Sequence, residues 1–203
     1  MQYISADIET TGLDPETCDI LEVAAVIDNT EVNMPIDELP AFQALVHAKN
    51  VRGEPFALQM NAAILKEIAL AKIENDYDCD VVLENKLPCN FVGKIVTREY
   101  ISLSLENWLK SYGINTNNVV VAGKNFASFD KLFLMKLPHW KIKFHYRSID
   151  PGMLYWRFND QEVPGMTTCL KRAEFPHDVK HRALDDAKDV IRLIRHHFFH
   201  EMG

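Results

Sequence analysis

Apolar and polar residues alternate from Gln2 to Ile8, a β-rich pattern that predicts a strand over 2–8. Two more β-like runs follow at 20–27 and 41–47, separated by the turn-forming pieces Gly12-Leu13-Asp14-Pro15 and Asp28-Asn29-Thr30. That succession predicts an antiparallel meander. The period then changes. Residues 61–73 carry Ile64, Leu65 and Ile68 at helical spacing, 98–112 form a second helix stopped by Gly113, and 128–137 form a third that ends before Pro138. A buried-type strand is predicted over 118–122, and a long helix over 183–199 whose apolar stripe is Ala183, Ala187, Val190, Ile191, Ile194 and Phe198. Residues 74–97, acidic at first and then mixed with Pro88 and Gly93, read as an inserted excursion or short hairpin. Strands first, then helices alternating with one more strand, predict an α/β fold: a mixed β-sheet flanked by helices, in a single domain over 1–203.

Composition changes this picture little. The chain has 203 residues, 47% hydrophobic and 25% charged, ordinary for a globular protein with a substantial core. No uninterrupted apolar run approaches a membrane span, and the N-terminus lacks a basic region followed by an apolar one, so a cytoplasmic protein with no membrane partner is expected. Cys18, Cys79, Cys89 and Cys169 show no C-x-x-C spacing; they read as reduced, mostly buried thiols, with a Cys79–Cys89 bridge as the alternative. Charge is unevenly spread, a weak signal by itself. The net −7 divides into 9 basic against 20 acidic residues over 1–130 and 13 against 9 over 131–203. An acidic total argues against wrapping long duplexes by charge alone, and permits binding of a short stretch through metals and a local basic face.

The chemistry concentrates in three segments. Asp7 and Glu9, two apart on the first strand, present paired carboxylates on one face. Anions held that close repel, and a hard divalent cation is the usual remedy. Thr10, Thr11 and Gly12 add hydroxyls and bare N–H groups where a phosphate or sugar can sit. The second segment, Asn125-Phe126-Ala127-Ser128-Phe129-Asp130, follows the strand at 118–122, beyond whose carboxyl end an α/β sheet binds ligands. The third is His181-Arg182-Ala183-Leu184-Asp185-Asp186-Ala187. At 100° per residue Asp186 lies at the edge of the apolar stripe, while Asp185 and Asp189 face water, so Asp186 is the expected ligand. His181, just before the helix, has an imidazole suited to general-base work.

Together the three segments resemble the motifs of the DEDDh, or DnaQ-like, 3′–5′ exonuclease superfamily, which includes a polymerase proofreading subunit, oligoribonuclease and ribonuclease T. The resemblance implies a ribonuclease H-like fold and two divalent ions, Mg²⁺ or Mn²⁺, held by Asp7, Glu9, Asp130 and Asp186, with His181 as general base. By the same resemblance Thr10, Gly12 and Leu13 contact the terminal nucleotide, and the segment ending in Met60 and Asn61 lies beside its base; Met60 as core at a helix start is the alternative. Asn125 opens the second motif, and Phe129 packs in the core.

The implied partners are 3′ ends of single-stranded RNA or DNA, or short oligonucleotides, which the motifs do not distinguish. A basic face of Lys141, Lys143, Arg147, Arg157, Lys171, Arg172 and Lys180 is a candidate surface for them, with Tyr146, Tyr155 and Trp156 for stacking; core packing is the competing reading of those rings. Relatives in this superfamily often form dimers, and Phe198 and Phe199 read either as a homodimer contact or as core. The competing functional reading is a catalytically silent nucleic-acid-binding module of the same fold, against which the retention of all four acids and His181 counts.

Overall fold

Alternation along β1 (Gln2–Thr10) organises the molecule. Even positions Ile4, Ala6 and Ile8 enter one core cluster, while Tyr3 enters another on the opposite face of the sheet. The computed structural model describes residues 1–74, 91–177 and 181–200. β1 pairs antiparallel with β2 (Ile20–Asn29), which pairs antiparallel with β3 (Ala41–His47), the predicted meander. β4 (Phe91–Thr97) lies parallel to β3 at one edge. On the other side β5 (Val119–Ala122) lies parallel to β1, and β6 (Phe144–Ile149) parallel to β5. The sheet order is β4-β3-β2-β1-β5-β6.

Helices cover both faces. After α1 (Pro55–Met60) and α2 (Ala62–Glu74) comes α3 (Arg98–Ser111), which buries Ile101, Leu105, Trp108 and Leu109 against one face. There Phe42 stacks on Phe91 with ring centroids 5.0 Å apart and meets Trp108 at 5.7 Å. Three short helices follow: α4 (Asp130–Leu134), α5 (Pro151–Leu154) and α6 (Met166–Arg172). The last, α7 (Ala183–His200), packs Ala187, Val190, Ile191 and Ile194 against Tyr3, Val26 and Ala122 on the opposite face. Each large apolar side chain buried there contributes about 1.5–3 kcal/mol. No helix among the described residues is long and apolar enough to cross a membrane.

The mixed sheet flanked by helices is as expected, with specific departures. The expected excursion at 74–97 contains a strand: 91–97 is edge strand β4, while 75–90 lies outside the described residues, as do Cys79, Cys89 and Lys180. β4 shows no clean alternation because the register slips opposite Phe42–Ala44, and Gly93 sits at φ +70° there. The helix expected over 128–137 begins only at Asp130, because Asn125 at φ +57° turns the chain and its carbonyl accepts from the N–H groups of Ser128 and Phe129. Phe198 is half-exposed and leaves the apolar stripe. Cys18 and Cys169 are buried free thiols.

Candidate active site

The face of β1 opposite Ile4, Ala6 and Ile8 carries the chemistry. Asp7 stands across from Ala24 of β2, and Glu9 across from Glu22. The first turn of α7 brings in Asp186. One carboxylate oxygen from each of Asp7, Glu9 and Asp186 lies within 4.8 Å of the other two. Asp130, buried in the first turn of α4, accepts a hydrogen bond at Oδ1 from the Ile8 N–H at 3.1 Å, and its charge acts on Asp7. Acids from β1 and α7 therefore converge, with Asp130 of α4 bonded to the backbone between Asp7 and Glu9.

Their electrostatics are strained in one direction. Burial, then the negative charges of Asp130, Asp186, Glu9 and Glu22, push the Asp7 carboxyl well above its usual range. Burial, then Asp186 and Glu22, raise Glu9 to about 7, against the pull of an Asn61 hydrogen bond and Arg182. Burial raises Asp130 to about 7, although backbone N–H groups work against it. Asp186 rises to about 6 through burial, with Asp189, Asp185 and Glu22 adding to it. Repelling carboxylates with converging oxygens make a hard-oxygen donor set, which suits a divalent cation such as Mg²⁺ or Mn²⁺.

The remaining candidates divide into open and committed groups. Leu13 is 75% exposed and Met60 44%, so the core alternative for Met60 fails. Asn125 is exposed on its turn, with its N–H held by Asp150 Oδ2 at 2.9 Å. His181 is exposed and held at φ +47°, an uncommon conformation outside glycine. The hydroxyls of Thr10 and Thr11 are used internally. Thr10 donates to the Gly12 carbonyl at 2.8 Å, while Thr11 donates to the Arg52 carbonyl and accepts from the Asp19 N–H at 2.7 Å. Asn61 is buried; its amide donates to the Thr10 carbonyl at 3.0 Å and supports Glu9. Gly12 is required by close approach, since a Cβ there would meet Cys18 Sγ at 2.5 Å. Phe129 is partly buried, its ring 5.1 Å from Phe133.

Two expectations about α7 and the basic face need correcting. Asp185 and Asp189 do not simply face water: both are half-buried beside a cleft of about 790 Å³ that Asp186, Phe175 and His196 also line, and Asp189 pairs with Arg192. On the basic face, Arg172 is taken up by Asp160 and the Tyr155 carbonyl, and the Tyr155 hydroxyl is bonded to α7 at the Leu193 carbonyl. Tyr146 and Trp156 are exposed, not core, and the Arg147 guanidinium lies 5.0 Å from the Tyr146 ring centroid.

No family model matches the chain. Over 197 residues it is 24% identical to an oligoribonuclease of Haemophilus influenzae, covering 97% of this chain and 92% of that one. An oligoribonuclease of Neisseria meningitidis serogroup A is 25% identical over 198 residues, with coverages of 96% and 89%. Among solved structures, cell-death related nuclease 4 superposes with a TM-score of 0.60 at 13% identity, over 100% of this chain and 64% of that one. Zinc-bound exonuclease I of E. coli in complex with single-stranded DNA gives 0.59 at 15% identity; this chain spans 99% of itself and 41% of that protein. A full-length 3′-exonuclease gives 0.58 at 17%, with coverages of 99% and 82%.

The similarity to oligoribonucleases runs along nearly the whole chain and supports a 3′–5′ exonuclease of the DEDDh kind. The sheet and flanking helices are the ribonuclease H-like fold of such exonucleases. The acidic cluster of this exonuclease is held by groups that the motifs do not include. Glu22 is fully buried and receives hydrogen bonds from Arg182 and the Ala183 N–H, tying down the start of α7. Asp28, also buried, receives Arg195 Nη2 at 2.6 Å and the Tyr3 hydroxyl at 2.7 Å, tying the helix two-thirds of the way along. Glu22 interrupts an apolar strand sequence, where a charge demands a buried partner, and that was the available signal; Asp28, followed by Asn29 and Thr30, reads as the start of a turn.

Proposed function

We propose that this exonuclease removes nucleotides singly from the 3′ end of short single-stranded nucleic acid, with RNA the first substrate to test, and that residues 1–203 form one catalytic domain. The observation that carries the reading is the convergence of Asp7, Glu9 and Asp186 oxygens within 4.8 Å, backed by buried Asp130. The similarity to oligoribonucleases along nearly the whole chain supports the choice of RNA. Two ions, Mg²⁺ or Mn²⁺, held by Asp7, Glu9, Asp130 and Asp186, would supply Lewis acidity to the phosphate and neutralise charge developing on it.

The protein's own groups account for the remaining needs. His181 takes a proton from the attacking water on an imidazole nitrogen, a role worth about 10²–10⁴-fold. The water oxygen bonds to phosphorus, the P–O3′ bond breaks, and solvent water gives a proton to the leaving O3′ while His181 later releases its own to solvent. The products are a nucleoside 5′-monophosphate and a strand one residue shorter. Exposed Leu13 and Met60 offer apolar surface for the terminal base, and the turn of Thr10, Thr11 and Gly12, with Asn61 beneath, fixes the backbone facing the sugar. Asn125 on its exposed turn is a further substrate contact in this reading. A cytoplasmic location belongs to the same proposal, as does a homodimer, for which half-exposed Phe198 and Phe199 offer apolar surface.

The test uses 5′-labelled RNA and DNA of matched sequence with Mg²⁺ or Mn²⁺. The expected result is a ladder shortening stepwise from the 3′ end, absent with EDTA and with Asp7→Ala. Internal cuts, or no shortening by folded protein, would overturn the reading. Within the same assay, Asp186→Asn should lose about 10²-fold or more, as loss of a ligand does. Asp185→Asn should lose less than about fivefold, because Asp185 acts on the cluster only through charge. The reverse order would exchange their roles.

A further inference from the structure

We infer that Glu22 is a positioning residue for the metal centre: by holding the Arg182 guanidinium it fixes the backbone carrying His181 and Asp186, and keeps that cation off Glu9. The inference rests on the reading of the acidic cluster as a divalent-metal site.

Glu22 stands opposite Glu9 in the β1–β2 register, so the two side chains share one face of the sheet. It is fully buried, and all its visible partners are donors. Arg182 Nε reaches Oε2 at 3.2 Å and Nη2 reaches Oε1 at 3.2 Å, while the Ala183 N–H donates to Oε2 at 3.2 Å and Gln43 Nε2 donates to Oε1. The other arm of the guanidinium, Nη1, donates to Glu67 Oε1 on α2 at 2.9 Å. Arg182 is thus clasped on two sides. Its own carbonyl accepts from the Asp186 N–H at 3.0 Å, and its preceding residue is His181 in the left-handed region. A shift of Arg182 therefore moves both groups.

The charge at Glu22 needs a reason. It adds a further buried anion beside Glu9 and Asp186 and raises the carboxyls of both. A neutral residue would brace the helix without that repulsion, and a buried carboxylate is retained at such cost only when it is well paired. What only an anion does here is hold a guanidinium tightly. Because Glu22 lies opposite Glu9 in the register, the Arg182 guanidinium bonded to it sits on the strand pair that carries Glu9. Released from Glu22, it has an adjacent acid on the same face to pair with, and a cation on Glu9 competes with a metal ion.

The test measures Mn²⁺ binding from the free-ion electron paramagnetic resonance signal, alongside oligonucleotide kinetics. The proteins are wild type, Glu22→Gln, Arg182→Gln and the double variant. Glu22→Gln should bind Mn²⁺ about 10-fold more weakly and lose about 10- to 100-fold in kcat, with KM within about twofold. Adding Arg182→Gln should restore most of the Mn²⁺ affinity, because the competing cation is gone, but not kcat, because the helix start stays loose. A purely structural brace would show no such recovery. Folded Glu22→Gln with wild-type Mn²⁺ affinity, or a double variant binding no better than the single, overturns the inference. Should Glu22→Gln not fold, Arg182→Gln decides: kcat lowered about 10-fold or more with KM within about twofold supports the positioning role, and wild-type kcat overturns it. Wild type that binds Mn²⁺ in this pattern yet degrades no oligonucleotide would sink the exonuclease reading and leave the positioning role standing.

Discussion

Asp7→Asn is expected to lower exonuclease activity by about 10³-fold or more while making the metal-free protein more stable. Both effects follow from where the carboxylate sits. Asp7 is half-buried in β1 with Asp130, Asp186, Glu9 and Glu22 all acting on it, and burial with their charges drives its carboxyl well above the usual range. Ionised and without a cation, it destabilises the fold it belongs to. Asparagine keeps the shape and removes the charge, so the native state gains about 1–2 kcal/mol near pH 8, the usual size of relief at a strained functional position. The same change removes a hard anionic oxygen from the set that would hold the ions, and a neutral amide oxygen is a poor substitute for Mg²⁺. Urea titrations in EDTA and release of labelled mononucleotide check the two halves separately. The stability gain should shrink toward pH 4, where the wild-type carboxyl is protonated as well. An active Asp7→Asn protein removes Asp7 from the ligand set; a less stable one in EDTA shows that repulsion does not dominate there.

The parts of this site that could be read in the sequence share one property: they depend on local geometry. Asp7 and Glu9 follow from the period of a strand, and the preference for Asp186 over Asp185 follows from the rotation of a helix. Asp130 was placed correctly beyond β5 even though its helix is half the expected length, because the turn at Asn125 sets its position and not the helix. What escaped depends on tertiary contact. β4 lost its alternation to a bulge at Gly93, and β6, an edge strand with Tyr146, Arg147 and Ser148 exposed, has no buried face to alternate against. Asp189 turned out half-buried because Arg192, one turn on, pairs with it. The arginines that pair with Glu22 and Asp28 lie 160 and 167 residues away, so the charge of these acids was visible and their purpose was not. Asn61 reads as a substrate contact from its place in the chain, yet its amide is bonded to β1 beneath the cluster.

In EDTA the melting temperature should fall as pH rises from 5 to 8, and Mn²⁺ should reverse the fall at pH 8 with little effect at pH 5. Glu9 and Asp130 sit at about 7 and Asp186 at about 6, against ordinary values of 4.5, 3.8 and 3.8. A carboxyl raised in the folded state binds its proton more tightly there than in the unfolded chain. Between the two values the native state therefore holds more protons, and unfolding becomes easier as pH rises. The contribution of these groups is fully present below the unfolded values and is lost as pH climbs through 6 to 7. Because the acids share their protons, the loss is less than the sum of separate shifts, on the order of a few kcal/mol, or about 5–10 °C for a chain of this size. A divalent ion needs the carboxylates ionised, so it competes with protons and binds where they have left. Asp160, held down to about 2 by Arg172, has the opposite slope, but only below about pH 4, outside this range. Scanning calorimetry at four pH values, with EDTA and with Mn²⁺, separates the cases. A melting temperature that climbs from pH 5 to 8 in EDTA would mean that the cluster is not strained by its charge. An Mn²⁺ effect as large at pH 5 as at pH 8 would place the ion somewhere other than these four acids.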